Sequence, residues 1–270
     1  MLDFGNVDEC LMSRPFKLLI IVMSLCIFSI VTMSIITDDL GADVGDTFVI
    51  DGINYVVTAE GNTNEVEVIS YTGSITEYFG VSPVIHENNS YAVTSIGESA
   101  FKRCDSLISV KVPESVKSIG KFAFNGCTGL KELTIPISLD AASSSDIWDE
   151  FMSLEEVVFT PGKGLGYDYG TAMGVGDNVK YTPWKKSKDS LTTVIFEVGI
   201  TYIGRYLLYE CDKVTTIIIP STVKSIGDSA FEDCTSIASL TLPEGLTHIQ
   251  KSAFEGCSSL SSLTLPTSIL

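Results

Sequence analysis

The sequence predicts a solenoid of stacked units around a parallel β-sheet, with one short strand in each unit of about 23 residues. A leucine-like apolar position recurs at residues 107, 130, 154, 191, 214, 237 and 260, so the steps are 23, 24, 37, 23, 23 and 23 residues. Apolar side chains then alternate to a proline, as at Leu133, Ile135 and Pro136. This period of two is typical of a strand, and proline ends it because it cannot donate to a continuing ladder. Seven such strands predict a sheet about 34 Å long.

Each unit also carries a turn with its own conserved spacing within the chain. The first copy contains Ile96-Gly97, Ala100-Phe101, Cys104 and Leu107, in the order Ile-Gly-x-x-Ala-Phe-x-x-Cys-x-x-Leu. The frame is close over 93–138 and 198–270 and looser over 139–197. It resembles the BspA-type leucine-rich repeat family of microbial surface proteins. The resemblance implies a leucine-rich-repeat solenoid, export from the cell, and adhesion to host matrix proteins, other microbes or epithelial cells.

A segment near the start of the chain is apolar enough to cross a bilayer. Residues 18–36 carry no charge, and as a helix these nineteen residues span about 28 Å. Arg14 and Lys17 precede the segment and Asp38 follows it, so the positive-inside rule places the solenoid outside the cell. The alternative is a cleaved secretory signal, which Met12 could begin if it were the true start. Both interpretations export the chain.

The chain therefore divides into three parts. These are a cytoplasmic stub with a transmembrane anchor or signal segment over 1–37, a linker and β-rich N-terminal cap over 38–92, and the solenoid over 93–270 with a Gly-rich insertion at about 161–188. Asp51-Gly52 stands between two β-rich stretches, which indicates a hairpin with a two-residue turn. Residues 44–92 either cap the first coil of the solenoid or form a separate binding module. The predicted fold class is a leucine-rich-repeat solenoid with an N-terminal β cap and one N-terminal transmembrane helix.

The 37-residue step contains an unusual insertion. Six glycines lie between Pro161 and Gly176, together with Tyr167 and Tyr169, and Trp184 follows. Neither phosphate-binding glycine motif is present. One interpretation is an aromatic protrusion that contacts a partner, since Tyr and Trp are common interface anchors. The other is a long variant unit with a buried Trp184, and the family often carries such a Gly-rich unit ending in Tyr-Thr-Pro-Trp. Tyr167 and Tyr169 remain candidate contact residues.

Five cysteines occupy the same slot of the repeat and predict an inward-facing ladder. They are Cys104, Cys127, Cys211, Cys234 and Cys257. Neighbours in the ladder are about 5 Å apart, so a bridge between 104 and 127 or between 234 and 257 is geometrically open. Because five cysteines cannot all pair with one another, we expect that the repeat needs cysteine for packing and that the thiols are reduced and buried.

Composition excludes several classes of function. The net charge is −17, from 17 basic and 34 acidic side chains, so nucleic-acid binding is not expected. The only imidazole side chains are those of His86 and His248. The acidic cluster at 38–46 lacks the spacing of a calcium-binding loop and is expected to be a solvated linker. Asn88-Asn89-Ser90 is a weak glycosylation signal. We expect no cofactor, no metal and no catalytic residues.

The functional prediction is an exported, membrane-tethered surface protein that binds proteins or glycans, or mediates adhesion, through its solenoid face. Polar strand positions and the insertion supply the candidate partner-binding residues, which are Tyr167, Tyr169, Lys131, Thr134, Thr216, Thr241 and Thr264. The alternative is a structural cell-envelope component without a specific ligand. A third hypothesis is a membrane-anchored enzyme that uses the insertion over 161–188.

The expected partners are an extracellular protein or glycan and, through the N-terminal segment, the membrane. The last unit ends directly after a strand, with Ile269 beginning the next repeat pattern. An exposed sheet edge is therefore predicted there, which would be covered by another chain, including a second copy, or by the rest of a longer gene product.

Overall fold

The structure describes most of the chain after its first 41 residues. The computed structural model describes residues 42–269, except 62, 138, 140–152, 162–183 and 185. Gly41–Leu270 form one compact unit. None of the described residues belongs to a helix that is long and apolar enough to cross a membrane. The predicted transmembrane segment over 18–36 lies outside the described residues.

The described residues form β-strands and turns, without an α-helix. The strands are β1 (Thr47–Ile50), β2 (Ile53–Ala59), β3 (Asn64–Tyr71), β4 (Glu77–Phe79), β5 (Val84–His86), β6 (Asn89–Ile96), β7 (Ser109–Lys111), β8 (Ser118–Ile119), β9 (Glu132–Pro136), β10 (Glu156–Thr160), β11 (Thr193–Phe196), β12 (Tyr202–Ile203), β13 (Thr216–Ile218), β14 (Ser225–Ile226) and β15 (His248–Ile249).

The main sheet is parallel and has the order β13-β11-β10-β9-β7-β4. Its register aligns the equivalent apolar residue of each unit, so that Leu133 pairs with Val110 on one side and with Val157 on the other. All three side chains are buried. Burial of one face explains the register, because a slip of one residue would turn every one of these side chains toward water.

The main sheet differs from the seven strands predicted. Five predicted strands form, and β4 from the N-terminal segment adds a sixth beside β7. No strand forms over the described residues 237–243 and 260–266. The apolar positions of these two units are less buried, since Leu240 and Leu263 are only partly covered and Leu265 is 56% exposed. Weaker burial leaves less apolar contact to hold these segments in sheet register.

A second line of parallel pairing runs along the solenoid. It involves the Val-x-x-Ile part of the repeat, which ends at the predicted turn at Ile-Gly. The last two residues of this part form short strands, which are β8, β12, β14 and β15. β14 pairs with β12 on one side and with β15 on the other, and β8 pairs with the end of β6. Units in which both strands form are therefore held to their neighbours at two separate places, whereas the last two units are paired only through the second line.

The N-terminal segment forms a mixed sheet with the order β1-β2-β3-β6-β5. The predicted hairpin is present, with Asp51 and Gly52 in its turn at φ values of 50° and 79°. β6 continues from this sheet into the second line of pairing through β8, and β4 begins the main sheet. Both lines of pairing thus start in residues 77–96.

The turns of the repeat bring phenylalanine rings into stacks inside the solenoid. The rings of Phe101 and Phe124 are parallel within 2° with centroids 5.3 Å apart, and Phe231 stacks on Phe254 at the same distance. The backbone is left-handed two residues before and two residues after each of these rings, and the second of these positions is Gly in some units, as at Gly256 (φ 74°). These phenylalanines therefore fill the interior of the solenoid.

The five repeat cysteines are buried and form the predicted ladder. Three of the thiols donate to backbone oxygens of the preceding unit, from Cys127 to Phe101 (3.1 Å), from Cys234 to Leu208 (3.1 Å) and from Cys257 to Phe231 (3.2 Å). The thiol of Cys211 lies 3.9 Å from the oxygen of Tyr209 in its own unit. The thiol of Cys104 instead faces the oxygen of Ile75 in the N-terminal segment, at 3.8 Å. Burial raises the pKa of the Cys234 thiol, so this group stays protonated.

Candidate functional site

The outward side of the main sheet presents two rows of side chains, because alternate residues of each strand point away from the core. We call both rows together, from β7 to β13, the strand face. The first row consists of Ser109, Glu132, Glu156, Thr193 and Thr216. The second row, which we call the aliphatic row, consists of Lys111, Thr134, Val158, Ile195 and Ile218.

The aliphatic row changes from polar to apolar along the solenoid. Val158 and Ile195 are half-buried in the middle of the sheet, and Ile218 on β13 is 50% exposed. A shallow depression of about 360 Å³ lies next to Ile218 and extends to Leu240 and Thr241 of the following unit. Along this row the strand face therefore changes from a lysine and a threonine to three aliphatic side chains, which run from the middle of the sheet to its edge strand β13.

The charges of the strand face are concentrated at its other end. Glu132 and Glu156 lie side by side on β9 and β10. Lys131 Nζ is 2.6 Å from Glu155 Oε1, and both side chains are substantially exposed. An exposed ion pair of this kind contributes at most about 1 kcal/mol to stability. Since Lys131 is paired with Glu155, the other charges at this end of the face are Glu132, Glu156 and Lys111, which leave the region with net negative charge.

The polar residues predicted to form one face are divided between the two rows and the units that follow. Thr134 lies in the aliphatic row, whereas Thr216 lies in the other row beside Thr193. Thr241 and Thr264 are exposed, but they belong to the two units whose strands do not form. Thr134 and Thr216 therefore share the strand face, and aliphatic residues lie among them.

The two interpretations of the insertion are tested only for Trp184. This side chain is fully buried, and its ring meets Phe159 edge-on with centroids 5.9 Å apart. Trp184 is therefore a core filler. Tyr167 and Tyr169 lie outside the described residues.

Sequence reasoning missed the aliphatic row. Its signal was present as apolar residues at outward positions, in Glu-Val-Val-Phe over 156–159 and in Thr-Ile-Ile-Ile over 216–219. These runs break the strict alternation expected when one face is solvated. Both were interpreted only as strand-forming, so their outward members were overlooked.

The chemistry of the described residues does not resemble a metal centre. Among them, no three His, Cys, Asp or Glu side chains are grouped closely enough to hold a metal ion. The cysteine thiols face the interior, and the raised pKa of Cys234 makes it a poor nucleophile. The arrangement suits contact with a surface rather than transformation of a small molecule.

Comparison with known proteins identifies the repeat. Six copies of the BspA type leucine rich repeat region match residues 84–162 and 185–270. No curated protein matches the chain.

Several solved structures are similar to it. A leucine rich cell surface protein from Faecalibacterium prausnitzii is 22% identical, with a TM-score of 0.42, over 82% of this chain and 55% of that one. This chain thus spans about half the length of that protein. The T. pallidum leucine rich repeat protein is 25% identical, with a TM-score of 0.44, over 82% of this chain and 84% of that one. The pneumococcal vaccine antigen PcpA is 18% identical, with a TM-score of 0.30, over 84% of this chain and 83% of that one.

The residues that match the family make up more than half of the chain and include the strands β5 to β15 and the cysteine ladder. The chain belongs to the BspA-type leucine-rich repeat family.

Proposed function

We propose that this protein is a non-enzymatic scaffold of the cell surface that binds a protein partner through its strand face. The observation that carries the proposal is the aliphatic row, where Val158, Ile195 and Ile218 lie in register on three adjacent strands of the face. Leucine-rich repeat proteins are typically binding scaffolds, which supports the same function.

The physical argument concerns shape and surface chemistry. Five strands at about 4.8 Å spacing give a rigid face about 24 Å wide, which matches a protein surface better than a small molecule. Interfaces commonly have an apolar centre within a polar rim, and the centre contributes most of the affinity. Ile218 is half exposed and would be covered by a partner. The surrounding threonines can hydrogen-bond to a protein or to a glycan carried by it.

Export and tethering are the second part of the proposal. The uncharged segment over 18–36, with Arg14 and Lys17 before it, supports a single-pass anchor with the solenoid outside the cell. Adhesion to an extracellular protein is the role that would follow from that location. Residues 44–92 would act as the N-terminal cap, since β4 covers the edge of β7.

A pair of matched variants tests the binding face. Ile218→Asp places a charge in the aliphatic row, whereas Val198→Asp changes an aliphatic residue that is 73% exposed outside the strands. We expect Ile218→Asp to weaken binding of the full chain to its partner by about 30-fold, as for loss of an interface anchor of about 2 kcal/mol. Val198→Asp should bind like the unchanged protein. The measurement is saturation binding to a panel of immobilised extracellular-matrix proteins.

Two results would contradict this proposal. Equal losses from both variants would mean that the strand face has no special role. Absence of saturable binding to any protein in the panel would favour the structural cell-envelope alternative.

Protease shaving of intact cells tests export. We expect peptides from 44–270 in the released fraction and the segment over 18–36 in the membrane fraction. Recovery of the intact chain from the cytosol would overturn the surface location.

A further inference from the structure

The N-terminal segment contains a pocket that is separate from the strand face. It is about 480 Å³ in volume and lies between the β1–β2 hairpin and the stretch from β4 to β5. Ligand pockets in proteins commonly have volumes of about 300–1,000 Å³. The pocket is therefore large enough to hold a small organic group.

Most of the pocket wall is apolar. Ile50, Ile53 and Ile75 contribute aliphatic surface, and Pro83 lies among them. Two further wall residues are unusually exposed for their type, since Val81 is 62% and Ile85 is 60% accessible to solvent. Exposed apolar side chains beside a concavity gain stability when a ligand covers them.

The charged residues of the pocket are both acidic. Asp51 in the hairpin turn and Glu77 on β4 line the pocket, and its lining contains no lysine, arginine or histidine. The whole chain carries a net charge of −17, which adds to the negative potential around this site. The electrostatics favour a cation and oppose an anion.

One polar group among the lining residues is fully buried. Tyr78 is only 3% exposed, and its hydroxyl makes no hydrogen bond to any part of the chain that the structure describes. The hydroxyl has no accessible surface of its own, so Tyr78 does not offer a polar contact to a ligand in the pocket.

We propose that this pocket binds an apolar or aromatic group that carries a cationic amine. The aliphatic wall holds the apolar part, and Asp51 and Glu77 attract the ammonium group. The amine can come from a free aromatic amine or from a lysine-flanked aromatic residue of a peptide. This inference does not rest on the proposed binding face, because its residues lie before β5 or within it.

The test compares three probes of similar size that differ in charge. We would titrate the full chain in lipid nanodiscs with 2-phenylethylamine, 2-phenylethanol and 3-phenylpropionate, following saturation-transfer NMR signals of each probe. We expect the amine to bind at least about 5-fold more tightly than the alcohol, as two nearby carboxylates predict at low salt, and the carboxylate probe not to bind. Equal binding of the three probes would overturn the proposal.

Variants then assign the roles. The double change Asp51→Asn with Glu77→Gln should remove the preference for the amine over the alcohol, whereas Glu60→Gln, an exposed carboxylate outside the pocket, should preserve it. Tyr78→Phe should raise the melting temperature of the protein without ligand, since it removes an unpartnered buried hydroxyl, and should leave the preference for the amine unchanged. A preference for the amine that survives the double change would contradict the site.

The source of the amine is settled by one more titration. The peptide acetyl-Lys-Phe-Lys-amide competes with 2-phenylethylamine if both reach the pocket. Tighter binding of the peptide would identify a polypeptide partner, and tighter binding of the free amine would identify a small molecule. Either result supports the proposal only if the double variant has lost the preference for the amine over the alcohol.

Discussion

The aromatic stack inside the solenoid allows a quantitative prediction for Phe101→Ala. The ring of Phe101 is fully buried and touches several aromatic neighbours, with centroid distances of 5.3 Å to Phe124 and 4.9 Å to Tyr78. The substitution removes a large side chain where the repeat units meet the N-terminal segment. It should therefore leave a cavity that neither side can fill.

Two other phenylalanines, which are less buried, give a scale for the expected loss of stability. Loss of a buried phenylalanine costs about 3–5 kcal/mol, and each aromatic pair adds about 0.5–1.5 kcal/mol beyond its burial. With several ring neighbours, Phe101→Ala should cost about 5 kcal/mol. Phe254 is only partly buried and stacks on Phe231, so Phe254→Ala should cost about 2 kcal/mol. Phe122 is 40% exposed, so Phe122→Ala should cost below about 1 kcal/mol.

Urea unfolding of the full chain measures this order. The fluorescence of Trp184, which is buried against Phe159, reports the folded state. With a slope near 2 kcal/mol per molar urea, Phe101→Ala should lower the midpoint by about 2.5 M and Phe122→Ala by less than about 0.5 M. Equal midpoints for these two variants would refute the reasoning that burial within the aromatic stack sets the loss of stability.

Two further predictions concern ionisable groups. In the folded chain at pH 8 we expect Cys234 to resist alkylation by iodoacetamide, because burial raises its thiol pKa and the thiol donates to the Leu208 oxygen. Mass spectrometry of the peptides measures the alkylation, and a rate as fast as in urea would contradict this expectation. Hydrogen bonds from Lys117 and Thr94 hold the pKa of Glu65 below its usual 4.5, so their stabilisation is present above that pH and lost as pH falls through the lowered value. Lys117→Met should therefore lower the melting temperature at pH 7 but much less near pH 3, and a difference independent of pH would exclude this pair as its source.

The periodic part of the fold could be predicted because every unit repeats the same physical problem. Leu133 and its equivalents mark strands whose inner face must be buried, and the register follows from aligning them. The Asp51-Gly52 turn was also readable, since its residues tolerate positive φ. These local rules do not depend on distant partners.

Single-copy features could not be predicted in the same way. Glu77–Phe79 form a strand only because β7 offers a free edge beside them, and nothing in their sequence repeats the unit pattern. The pocket depends likewise on how the hairpin folds against Val81 and Ile85, which is a tertiary contact. Thr134 and Thr216 were grouped by residue type, whereas their rows are set by position within each strand.

The direction of the cysteine hydrogen bonds has a consequence for how such a chain can change its length. The Cys127, Cys234 and Cys257 thiols each reach an oxygen of the unit before them, so copying a whole interior unit would supply both donor and acceptor for its new neighbours. The unit of Cys104 is different, because Ile75 replaces the missing predecessor. Duplication of such an interior unit therefore preserves the pattern of thiol hydrogen bonds, whereas the first unit keeps its hydrogen bond only together with the segment before it.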